Sequence, residues 1–91
     1  MIERVVEVRN QRGLHARAAA RLVRLASRFQ SDIKLSRCNE RQEVDGKSIL
    51  GILLLAARQG TRLRIMTQGA DEEEAAEAVT TLFEQRFGEE Q

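Results

Sequence analysis

The chain predicts an α+β domain of two layers, a four-stranded sheet with three helices on one side, and three observations carry that expectation. Hydrophobic periodicity alternates between the strand and the helix pattern in the order β-α-β-β-α-β-α. Each segment has one apolar face, so each must be buried against a second layer. The length, 91 residues, is enough for one core and too little for two, so residues 1–91 read as a single domain.

Residues 2–8 are β-branched and alternate, with Ile2, Val6 and Val8 on one face and Glu3 and Glu7 on the other. A polar segment, Asn10-Gln11-Arg12-Gly13, breaks this strand. Residues 16–29 then take helical spacing, with Ala19, Leu22, Val23, Ala26 and Phe29 on one side. Arg17, Arg21, Arg24 and Arg28 form a basic stripe on another side. It is either a solvated face or an electrostatic guide for acidic partners. Ser31 and Asp32 interrupt the helix. Ile33 and Leu35 belong to a second strand, residues 37–40 to a hairpin connection, and residues 41–44 to a short third strand.

Ser48 is placed to cap a short apolar helix over residues 49–57, with the glycine of residues 58–60 near its C-terminal end. Only one stripe of that helix can be buried. With Ile52, Leu55 and Ala56 inward, Leu50 and Leu53 face out and Ile49 lies at the margin, a patch suited to a partner unless dimerisation or a neighbouring loop buries it. Residues 61–67 form the fourth strand, with Leu63 and Ile65 on its apolar face. The last helix opens on Asp71, Glu72, Glu73 and Glu74, which the helix dipole favours and whose consecutive spacing splays them away from a shared metal. Its buried face is Ala75, Ala78, Val79, Leu82 and Phe83, and residues 87–91 are expected to fray as an acidic tail.

Lys and Arg number 15 against 14 Asp and Glu, and the three aromatic residues, Phe29, Phe83 and Phe87, fall at helix ends. Neither a basic excess nor a strand platform for stacking bases is present, so nucleic acid is not the expected partner. Cys38 is the single cysteine; it excludes an internal disulfide, suits a reducing cytoplasm and reads as inert. The charged start leading into a strand does not read as a signal peptide, and the apolar run around residues 49–57 is too short for a membrane span. A soluble, cytoplasmic, monomeric protein is expected.

Chemistry concentrates at His15, the only histidine. It sits where a loop becomes a helix, next to the backbone N–H groups of Ala16 and Arg17, which have no partner inside the helix. Those donors and the helix dipole favour a bound anion, phosphate above all. The same field disfavours an imidazolium, so a neutral ring with a lone pair for nucleophilic attack is expected. Arg17 adds a permanent positive charge for the anion.

Gly13-Leu14-His15-Ala16-Arg17-Ala18-Ala19 resembles the motif Gly-Leu-His-Ala-Arg-Pro-Ala of the HPr family, the histidine phosphocarriers of the bacterial phosphotransferase system. The one departure is Ala18, where the family has proline, which leaves the charges unchanged and loosens the first helical turn. Asp45-Gly46-Lys47-Ser48-Ile49-Leu50-Gly51 is similar to the segment in which some HPr proteins carry a regulatory serine, and Ser48 matches it by position. The resemblance spans the chain and implies an open-faced β-sandwich with an antiparallel sheet. It implies a carrier rather than an enzyme, needing no metal or cofactor. His15 would take a phosphoryl group, on Nδ1, from phosphorylated enzyme I, with Arg17 assisting, and donate it to IIA-type proteins or domains. Arg21, Arg24, Ile49, Leu50 and Leu53 are the partner-binding candidates, and Ser48 the target of a kinase and phosphorylase. Sugar-uptake carriers and regulatory nitrogen-branch relatives both fit. So does an alternative of another class, an HPr-like regulatory module acting through protein contacts.

Overall fold

Four strands and three helices follow one another as β1 (Ile2–Glu7), α1 (Ala16–Ala26), β2 (Asp32–Arg37), β3 (Val44–Asp45), α2 (Ile49–Leu54), β4 (Arg62–Gln68) and α3 (Glu72–Glu84), and a 3-10 turn, Arg86–Gly88, closes the path. This computed structural model describes residues 1–89. The sheet is antiparallel throughout, in the order β1-β4-β2-β3. The anticipated order of elements and the open-faced architecture are both present.

Register puts the apolar alternation of three strands on one face. Val6 lies opposite Leu63, and Leu35 and Ile33 lie opposite Ile65 and Thr67. The helices cover that face with Leu22, Ile52, Val79 and Phe83, all at most 1% exposed. Burying each such side chain is worth roughly 1.5–3 kcal/mol. The other face carries Glu3, Glu7, Lys34 and Arg62. Its one buried large apolar side chain, Met66, is flanked in register by Glu3 and Lys34.

Several boundaries differ from the sequence expectation. Helix α1 stops at Ala26 rather than Phe29, because the last amides tighten to i→i−3 bonds, Arg28 N to Leu25 O and Phe29 N to Ala26 O. The third strand is only Val44–Asp45, paired with Leu35 and Lys34; residues 41–43 are exposed and outside the ladder. Helix α2 ends at Leu54, and the residue that ends it is Ala56, held at φ 49°, rather than a glycine. The resulting turn exposes Ala56 and buries Ala57 in its place. In α3, Ala76 joins the buried face, while Ala78 and Leu82 are half-buried.

The expected fraying tail is corrected for residues 87–89. Phe87 is 1% exposed and meets Phe83 edge-on, with ring centroids 4.8 Å apart. The apolar gain of burying an aromatic ring outweighs the freedom of a loose terminus. Glu90 and Gln91 lie outside the described residues.

The acidic start of α3 has specific partners beyond the dipole. Asp71 accepts from the N–H groups of Gln30 and Ser31, both at 2.9 Å, and from the Ser31 hydroxyl at 2.5 Å. It thereby ties the α1–β2 connection to α3. The Ser31 hydroxyl and then the Gln30 N–H hold its carboxyl below the usual 3.8. A depressed folded pKa means stability that is present above the unfolded value and lost as pH falls through the folded one. Asp71→Asn should therefore lower the urea midpoint at neutral pH and flatten its decline below about 3.8. Parallel midpoint curves for variant and parent would refute that role.

Candidate functional site

The site begins with a loop that cannot move freely. Asn10 is fully buried, and its Nδ2 donates to Gly13 O at 2.7 Å while Gly13 N returns a bond to Asn10 O at 3.1 Å. Gly13 takes φ 71°, and a Cβ there would lie 2.6 Å from Ala57 O. Only glycine fits this approach. The neighbouring Leu14 is buried and donates its N–H to the same Ala57 carbonyl at 2.9 Å. The tight ending of α2 thus supplies the acceptor that anchors the loop before His15.

His15 is the N-cap of α1, in extended conformation (φ −81°, ψ −178°), and its carbonyl accepts from Ala19 N at 2.8 Å. Its side chain is 25% exposed. Nδ1 accepts from Arg17 N at 3.3 Å, and Nε2 lies 2.7 Å from Glu89 Oε2. A backbone N–H can only donate, so Nδ1 holds a lone pair, and in the neutral ring the proton resides on Nε2. That assignment suits the carboxylate, which only accepts. The ring therefore points a nucleophilic nitrogen at the start of the helix, beside the amides where anionic charge is favoured.

The other sequence candidates are distributed around this point. Ala16 and Arg17 are exposed in the first turn of α1. Arg24 is exposed, whereas Arg21 is half-buried and donates through Nη1 to the Phe87 carbonyl, so it is engaged within the fold. Helix α2 packs on α1. It exposes Ile49 at 44%, Leu50 at 69% and Leu53 at 38%, joined by Leu54 at 69%, a residue outside the expected exposed set. Ile52 and Leu55 are buried beneath them. Ser48 caps α2, its Oγ accepting from Gly51 N at 3.1 Å, and is half-buried. Ala18 is fully buried in the core, so the departure from the motif is a packing position beneath the site.

Two residues at the site escaped the sequence. Asn10 read as part of a polar break, yet it is fully buried and bonded to Gly13 and to Glu89. Glu89 read as tail. No local pattern marks a carboxylate that reaches a histidine 74 positions away.

A family model described as "PTS HPr component phosphorylation site" matches residues 2–85. The phosphocarrier protein HPr of Xylella fastidiosa is 49% identical over 89 residues, 98% of each chain. That of Cupriavidus necator is 48% identical over the same span. A crystal structure of HPr-C-His from Thermoanaerobacter tengcongensis superposes with a TM-score of 0.93 at 44% identity, covering all of both chains. Among the described residues no helix is long and apolar enough to cross a membrane. With a matched family model over most of its length, the same fold and a histidine capping its first helix, this chain belongs to the HPr family of phosphotransferase-system phosphocarriers.

Proposed function

We propose that His15 receives a phosphoryl group from phosphorylated enzyme I and passes it to IIA-type proteins or domains. The observation that carries this reading is a quarter-exposed imidazole whose Nδ1 lone pair faces the start of α1. Once Nδ1 bonds to phosphorus it no longer accepts from Arg17 N, and that amide is released to a phosphoryl oxygen. The charge of the group is met by the N-terminal donors of α1 and by the Arg17 side chain. The protein stores the group and releases no product of its own.

Docking of both partners is assigned to the face formed by Ile49, Leu50 and Leu53, with Arg17 and Arg24 steering acidic surfaces toward it. Incubation with enzyme I and phosphoenolpyruvate tests the transfer. The chain should gain one acid-labile phosphate, and a chain that stays unmodified beside a competent HPr control would overturn the reading.

Ser48 is the proposed regulatory position, since it lies immediately before the exposed apolar residues of α2. Ser48→Asp should keep its cap, because aspartate accepts from the same amide, and stability should stay within about 1 kcal/mol of the parent. The added charge at the edge of an apolar docking face should weaken phosphorylation by enzyme I. Circular dichroism melts and a phosphotransfer time course read the two effects. Transfer at the parental rate would remove Ser48 from regulation.

A further inference from the structure

Three consecutive residues after α3 lie in the left-handed region, Arg86 at φ 58°, Phe87 at 57° and Gly88 at 77°. For arginine and phenylalanine this conformation persists only where the surroundings hold it. Here Phe87 is sunk into the core against Phe83, and Arg21 of α1 donates to its carbonyl. A Cβ at Gly88 would lie 2.7 Å from that same Arg21 nitrogen, so the strap runs close over α1. Its end delivers Glu89, which bridges Asn10 Nδ2 at 3.0 Å and His15 Nε2 at 2.7 Å. The family-model match ends at residue 85, before this strap.

Resting on His15 as the phosphoryl acceptor, we propose that Glu89 is a positioning residue for that transfer. Its carboxylate keeps the ring proton on Nε2 and so keeps the Nδ1 lone pair turned toward the incoming group. In the step itself the Nδ1 lone pair forms the N–P bond, while the donor's bond to phosphorus breaks and its electron pair leaves with the donor. No proton moves, so the ring becomes cationic with Nε2–H still in place, and Glu89 faces the charge that has formed. A buried carboxylate in a catalytic triad acts on its histidine in the same two ways. Burial pushes the Glu89 carboxyl up, but the bonds from Asn10 and His15 and the nearby charges of His15 and Arg12 outweigh it and hold the carboxyl below its usual value. An ionised carboxylate only accepts, so it is matched to the Nε2–H of the ring. Asn10, itself pinned by Gly13, sets where the carboxylate stands.

The plain structural alternative is that Glu89 only fastens the strap. The full chain, with Glu89→Ala and Glu89→Gln variants checked for native melting, separates the two. Nitrogen-15 NMR of the unphosphorylated protein in buffer that keeps the ring neutral should show the Nε2–H tautomer in the parent and a mixture of tautomers in Glu89→Ala. The rate of phosphoryl acceptance at saturating enzyme I should fall about tenfold in Glu89→Ala, and also fall in Glu89→Gln, with little change in the KM for the donor. Parental tautomer and rate in Glu89→Ala overturn the proposal, and so does a change in either one without the other. A parent chain that shows the tautomer yet takes no phosphate would instead defeat the reading of His15 as acceptor, so the two failures are distinguishable.

Discussion

Replacing His15 with alanine should give a folded protein that accepts no phosphate at all. Among the described residues the imidazole bonds to Arg17 N and to Glu89. Losing an N-cap costs about 1 kcal/mol, which a domain of this size tolerates. On the proposed role the chemical loss should be complete, because His15 is the only histidine and its Nδ1 holds the lone pair facing the start of α1. Mass spectrometry after incubation with enzyme I and phosphoenolpyruvate is the measurement. Acid-labile phosphate on His15→Ala would sink the assignment. Arg17→Ala makes a useful contrast, since the backbone donors of α1 remain and transfer should slow without stopping.

The short helix α2 should separate stability from docking, residue by residue. Ile52 is fully buried among core side chains, so Ile52→Ala should cost roughly 2–5 kcal/mol and lower Tm by about 10–30 °C in a domain of this length. Leu50 and Leu54, each 69% exposed, should cost under about 0.5 kcal/mol as alanines. The exposed pair together with Leu53 should instead lose affinity for enzyme I, because apolar anchors at an interface centre carry much of its energy. Thermal melts and a binding titration on each variant decide it. If Leu50→Ala and Leu54→Ala bind as the parent does, the apolar face of α2 has another occupant.

What the sequence by itself determined is local. The alternation of Val6 and Val8 and the helical spacing of Ala19, Leu22 and Ala26 placed the elements and their buried faces. The seven residues around His15 placed a histidine at a helix start. Ser48 was legible as a cap because a cap depends on residues three positions apart. The inward side of α2 was legible at Ile52 and Leu55 for the same reason, but the periodicity could not foresee that Ala56 would leave the helix at φ 49° and hand its buried place to Ala57. Strand ends failed similarly: Val44 and Asp45 pair because β2 offers partners there, and the polar residues 41–43 before them stay outside the ladder. Only the tertiary structure decided that the tail is a strap. Glu89 reaches His15 because Phe87 is buried edge-on against Phe83 and Arg21 donates to its carbonyl. The bonds from Arg21 to Phe87 and from His15 to Glu89 join residues more than sixty positions apart, and neither hydropathy nor turn propensity, which act over a few residues, encodes them. The tautomer of the histidine therefore belongs to the fold, and the histidine itself to the sequence.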